Sequence, residues 1–163
     1  MNRVIVIGPS GAGKSTFARA LRDKTGLPLH YLDMLWHKPD KTTITSEEFD
    51  AKLAEMLREE RWIIDGDYSR TLETRLQACD TVFFLDYPLE VCLQGVENRW
   101  GTAREDMPWV EEGSDPEFIQ WIRDFFEIRR PKVLALLEQY GEGREIHVFH
   151  SRDEAQFYLA SLR

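Results

Sequence analysis

The chain has 163 residues, enough for one domain with a substantial core and too few for two of ordinary size. A net charge of −8 and a pI near 5.1 argue against a broad nucleic-acid surface, so any anion site has to be a local pocket. No apolar run approaches the ~20 residues of a membrane span and no leader-like segment opens the chain, so a cytoplasmic protein without membrane contact is expected.

Val4 to Ile7 is an unbroken β-branched run, the pattern of a strand buried on both faces. It leads into a glycine-rich loop and then a predicted helix over Lys14 to Lys24, with Phe17, Ala20 and Leu21 on one face and a stop near Gly26 and Pro28. Residues 29–32 read as a second strand ending at Asp33. Thr45 and Glu48 form a capping box ahead of Phe49, Leu53, Met56 and Leu57, predicting a helix to about Glu59. Residues 62–65 read as a third strand and 81–86 as a fourth, with Pro88 suited to the first turn of the helix that follows, to about Arg99. Asp115-Pro116 opens a long predicted helix, bent near Pro131. Residues 145–149 read as a fifth strand, and Ser151 with Glu154 cap the last helix, which carries Phe157, Leu159 and Leu162. Cys79 and Cys92 fall inside these segments and read as small buried hydrophobes, and the four histidines show no metal-ligand spacing.

Strand and helix alternate along the chain, which predicts an α/β fold with a parallel sheet and helices on both faces. Ligands in such sheets lie beyond the carboxyl ends of the strands. The informative positions are therefore Gly8 to Ser15, Asp33, Asp65 to Arg70, Asp86 and His150.

Residues 8–15, Gly-Pro-Ser-Gly-Ala-Gly-Lys-Ser, fit the phosphate-binding pattern GxxxxGK[ST]. Successive backbone N–H groups at a helix start form a concavity for phosphate oxygens, and the glycines let the backbone approach closely. Gly8, Pro9, Ser10, Gly11, Ala12, Gly13, Lys14, Ser15 and Thr16 are the expected nucleotide-binding residues, with Lys14 at the terminal phosphates and the Ser15 hydroxyl on Mg²⁺. The expected ligand is ATP with magnesium. No LSGGQ-like or NKxD sequence occurs, which leaves a small kinase with an acceptor pocket beside the loop.

Residues 63–76, IIDGDYSRTLETRL, resemble the DGFPRT segment of adenylate kinases with one extra residue. More widely, residues 31–39, 63–76, 83–93, 104–107, 117–125, 130–134 and 150–154 resemble the bacterial DNA topology modulation proteins, an adenylate kinase-like family, nearly end to end. That resemblance implies a single P-loop kinase-type domain over 1–163, sheet order 2-3-1-4-5, and a small lid over about 99–115. It implies Asp65 as the acid of the magnesium shell, although Asp86 closes a similar strand and competes for the role. Gly66 and Arg70 then face the acceptor, with Arg70 on an acceptor phosphate. Asp33 is expected to hold an acceptor hydroxyl or to cap a turn, and Trp36 and His37 either stack on an acceptor ring or belong to the core. Among the arginines around the lid, Arg99, Arg104, Arg123, Arg129 and Arg130, the spacing of Arg99 and Arg104 fits closure over the transferred group, and Arg123 is a candidate for the acceptor.

Two departures stand out. Gly95 occupies a position where the family commonly has arginine, and PWVEEG (108–113) stands where it usually has Gly-Cys. The expected activity is Mg-dependent phosphoryl transfer from ATP to a small, nucleotide-like acceptor, as in nucleoside-monophosphate kinases, without direct nucleic-acid binding. The alternative is a regulatory P-loop ATPase acting through a partner, with an indirect effect on DNA topology. The sequence carries no signal for an oligomeric state.

Overall fold

A computed structural model describes residues 1–113 and 115–163. Strands β1 (Arg3–Ile7), β2 (Leu29–Tyr31), β3 (Trp62–Asp65), β4 (Thr81–Leu85) and β5 (Glu145–Phe149) form one parallel sheet in the order β2-β3-β1-β4-β5. The register sets Val6 beside Asp65 and Ile7 beside Phe84, so the ends of the three central strands open onto one edge.

Side chains alternate across β1 with the period of two that a pleated strand imposes. Val4 and Val6 meet Phe17, Ala18 and Leu21 of α1 (Lys14–Thr25) and Leu159 of α8 (Arg152–Ser161). Ile5 and Ile7 meet Leu53 of α3 (Ser46–Arg58) and Leu72 and Leu76 of α4 (Ser69–Ala78), with Val133 of α7 (Arg130–Tyr140) in the same layer. Ile5 and Ile7 are completely buried, worth about 1.5–3 kcal/mol each in removed apolar surface. Cys79 and Cys92 are free and buried, and burial pushes both thiols up to about 11.

Several local expectations shift. The second strand stops at Tyr31, and Asp33 sits in the first turn of a short helix, α2 (Leu32–Trp36), two residues past the strand end. Phe157 of α8 is 81% exposed instead of packing with Leu159. The expected long helix is α6 (Pro116–Asp124) and α7 joined by a π turn over Phe125–Arg129. Pro131 has no N–H for the Glu127 carbonyl, and its ring crowds that carbonyl in a regular α-helix. A widened turn just upstream relieves both.

The loop from α5 (Leu89–Asn98) to α6 is an irregular strap. Within it, the Gly101 N–H donates to the Glu111 carbonyl at 2.6 Å. Glu105 accepts from Tyr31 Oη (2.8 Å) and Arg22 (3.2 Å), and Asp106 pairs with Arg19 at 3.4 Å. The strap therefore leaves α5 and fastens to α1 and β2. Position 114 of the expected lid lies outside the described residues. Among the described residues, no helix is long and apolar enough to cross a membrane.

Candidate active site

A cleft of about 1220 Å³ opens over the carboxyl ends of the central strands. Its floor is the loop between β1 and α1. Ser10, Gly11, Gly13, Lys14, Ser15 and Thr16 line it, whereas Gly8, Pro9 and Ala12 do not. Pro9 shapes the loop from behind: its carbonyl accepts from Ala12 N (3.2 Å) and from Lys14 Nζ (3.1 Å). The lysine thus rests on a neutral carbonyl and is available to an anion.

Gly95 of α5 packs on this loop. A Cβ at Gly95 would stand 2.0 Å from the Gly11 carbonyl oxygen, and one at Gly11 would stand 2.0 Å from the Cys92 carbonyl oxygen. Gly11 also has φ +83°, which side chains rarely adopt. The glycine at 95 is therefore a close backbone contact holding the loop to α5. In this packing an arginine there would have to push the loop away.

Asp65, at the end of β3, is 4% exposed. Its Oδ2 accepts the Ser15 hydroxyl at 2.5 Å, while Oδ1 is buried with no partner. Burial pushes its carboxyl up to about 7, against the pull of Lys14 and Ser15. A buried carboxylate with an unused oxygen beside a hydroxyl is costly alone and suits a hard cation. The rival, Asp86, is engaged elsewhere: Arg130 grips it through Nε (2.9 Å) and Nη2 (2.8 Å).

The opposite wall is built by the loop after Asp65. Arg75 of α4 is fully buried and donates to the carbonyls of Gly66 (2.9 Å), Asp67 (2.6 Å) and Tyr68 (2.9 Å) and to Thr71 Oγ1 (3.2 Å). Burial drops its guanidinium to about 10. These bonds hold Tyr68 at φ 29°, a conformation that costs a non-glycine residue roughly 1–3 kcal/mol. The result aims the Tyr68 hydroxyl at Asp33, whose Oδ1 accepts it at 2.6 Å. Asp67, 7% exposed, faces Arg129 Nε at 3.7 Å, and burial raises its carboxyl above the usual range.

Arg129 reaches the cleft from the π turn. Its guanidinium lies 3.9 Å from the Trp121 ring centroid and donates Nη2 to the Trp121 carbonyl at 2.9 Å, while Nε is buried without a hydrogen-bond partner. From the strap, Arg99 and Arg104 line the cleft beside Trp109, which meets His37 edge-on at 5.7 Å.

Solved structures with this architecture cover almost the whole chain. Shikimate kinase from Acinetobacter baumannii, in complex with shikimate, is 23% identical with a TM-score of 0.61, covering 98% of this chain and 91% of its own. Shikimate kinase from Bacteroides thetaiotaomicron is 18% identical with a TM-score of 0.62, covering 99% and 95%. A gluconokinase from Sinorhizobium meliloti 1021 is 18% identical with a TM-score of 0.55, covering 99% and 93%. The chain has the fold of the P-loop kinases. No family model and no curated protein matches it, and the resemblance to DNA topology modulation proteins finds no support in these likenesses.

Within this P-loop kinase fold, the cleft gathers Lys14, Ser15, Asp33, Trp36, Asp65, Gly66, Arg99 and Arg104 from among the residues singled out in the sequence. Trp36 also packs edge-on against Phe49 at 5.7 Å, so the ring both lines the cleft and touches the core. Arg70 and Arg123 do not line the cleft. Arg70 lies in the first turn of α4 and points to α3, where it pairs with Asp50 at 2.8 Å. Arg123 is exposed on α6, next to the buried Ile122. Asp67, Tyr68 and Arg129 occupy the space intended for them. Asp67 had a sequence signal, two residues beyond the strand-end Asp65. Arg129 was visible only as one of several arginines, because its aim depends on the π turn.

Proposed function

We propose that this protein is an ATP-dependent phosphotransferase acting on a hydroxyl of a small polyhydroxylated metabolite. The observation that carries the reading is the Asp65 carboxylate, which touches Ser15 beside Lys14 and keeps one buried oxygen free. Ser15 and Asp65 would hold Mg²⁺, Asp65 either directly or through water. The ion would neutralise charge on the terminal phosphates. The loop's N–H groups bind the triphosphate, Lys14 swings from the Pro9 carbonyl to its terminal oxygens, and Arg99 and Arg104 bring positive charge over the transferred group.

The acceptor side favours a hydroxyl compound over a nucleoside monophosphate. The arginine expected on an acceptor phosphate, Arg70, is paired outside the cleft. Among the polar groups of this wall are the carboxylates Asp33 and Asp67, which accept hydrogen bonds from hydroxyls. The flanking Trp36, Tyr68 and Trp109 offer faces to a carbon skeleton. Arg129 supplies one cation at the rim, suited to a carboxylate on the acceptor. Asp33, in reach of the hydroxyl to be phosphorylated, is the residue that orients it, with Tyr68 fixing its rotamer. The regulatory ATPase reading drew on Gly95 as a lost catalytic arginine, and the packing of Gly95 on Gly11 gives that glycine a different reason.

The test is ADP formation from Mg-ATP across a panel of acceptors that includes shikimate, D-gluconate and AMP. The proposal expects a polyhydroxylated compound to raise turnover well above the acceptor-free rate, and AMP not to. Turnover that no acceptor raises would favour the regulatory reading.

A further inference from the structure

The phosphotransfer chemistry leaves Glu111 of the strap unused. The Glu111 side chain is 13% exposed and lines the cleft. Its Oε2 accepts Arg99 Nε at 2.9 Å, and its Oε1 accepts Arg99 Nη2 and Arg104 Nη2, each at 3.4 Å. Its backbone carbonyl takes the Gly101 N–H at 2.6 Å, which fixes where the carboxylate can reach. Arg104 has Asp106 as a second partner at 3.5 Å, and the Arg99 guanidinium lies 5.9 Å from the Phe118 ring centroid. The two strap arginines that face the cleft thus meet on one carboxylate. A carboxylate offers arginine the same paired oxygens that a phosphate does.

We propose that Glu111 is an internal competitor for the terminal phosphates of the nucleotide. In the free protein it occupies the fork of Arg99 and Arg104, and Mg-ATP displaces it. This rests on the phosphotransferase reading of the cleft. Binding then has to break charge-assisted bonds before the arginines reach phosphate, so the free protein holds nucleotide less tightly than its arginines allow. The same carboxylate screens the two guanidinium groups from each other and from stray anions while the cleft is empty.

The experiment is calorimetric titration of the whole chain with Mg²⁺ and the non-hydrolysable ATP analogue AMPPNP. Glu111→Gln keeps the side chain's shape and removes the competing charge, so it is expected to bind AMPPNP about tenfold tighter, the scale of one charge-assisted hydrogen bond. Structural damage would not produce a gain. Glu111→Asp keeps the charge but reaches one methylene less far, and a smaller gain is expected from it. Unchanged or weaker binding by both variants would make Glu111 a structural staple of the strap and overturn the proposal. Lys14→Ala separates the two levels of inference. If the unmodified protein binds no AMPPNP, or Lys14→Ala binds as well as it does, the phosphotransferase reading falls and this one with it. If Lys14→Ala abolishes binding while the Glu111 variants gain nothing, the competitor role alone is wrong.

Discussion

The two walls of the cleft are built by opposite strategies. The phosphate wall is one continuous stretch, residues 8–16, whose backbone supplies most of the chemistry and whose shape follows from local glycines and a helix start. The acceptor wall is assembled from α2, the loop after β3, the strap and the π turn, and its parts meet only through tertiary contacts. Arg75 makes the contrast concrete. It carries no chemistry of its own, yet three of its hydrogen bonds hold the carbonyls of the loop that presents Asp67 and Tyr68. A contiguous motif can be read residue by residue, whereas an assembled wall depends on groups that never touch the ligand.

The largest expected effect lies on the phosphate wall. Lys14→Ala should lose about ten- to more than a hundredfold in Mg-AMPPNP affinity by calorimetry, given 1.5–3 kcal/mol for a charged contact, with an unchanged melting temperature. Among the described residues the lysine's only hydrogen bond is to the Pro9 carbonyl, so the fold does not need it.

On the acceptor wall the expected damage is to folding. Arg75→Ala leaves buried carbonyls unpaired and should cost about 3 kcal/mol or more in denaturant unfolding. Arg70→Ala, in the first turn of the same helix but exposed, should barely move the midpoint. Equal losses would mean that the loop is not held as described.

Gly95→Arg tests the joint between the walls. If the missing arginine were a lost catalytic group, restoring it would raise turnover. The 2.0 Å approach to the Gly11 carbonyl instead predicts a displaced loop and AMPPNP affinity about tenfold weaker, measured alongside the melting temperature.

The smallest effect concerns pH. Asp65 is raised to about 7 in the folded, ligand-free protein, against about 3.9 for an unfolded aspartate. The folded state therefore binds more protons between these values, and this group's contribution falls as pH rises from about 4 to about 7. In EDTA, Asp65→Asn should melt a few degrees above the unmodified protein at pH 8 and close to it at pH 4. The opposite order would mean that Asp65 is stabilised in its ionised form without a metal.

The strands and the phosphate-binding loop were legible because each rests on short-range pattern: a β-branched run, a glycine loop, a capping Thr45 that does accept from Glu48 N at 3.1 Å. The strand order came only through the resemblance to adenylate kinase-like proteins. Asp33 was legible as an acid beside the cleft, though not as a residue of the first turn of α2, two positions past its strand. Arg70 misled because arginine position in sequence does not fix direction; a helix starting at Ser69 turns it toward Asp50. The aim of Arg129 was not legible because a π turn rotates everything beyond it. Glu111 was not legible as a partner of Arg99 and Arg104, since they lie 12 and 7 residues away with no regular element between.

The central claim is that the phosphoryl group crosses from the Lys14 wall to a hydroxyl held at the Asp33 wall. Phosphorus-31 NMR of Mg-ATP turnover with the shikimate, D-gluconate and related polyol panel follows that group directly. The account predicts a new phosphate-ester resonance growing with ADP, strongly reduced in Asp33→Asn and unaffected in Arg70→Lys. Growth of inorganic phosphate alone, equal in both variants, would contradict it.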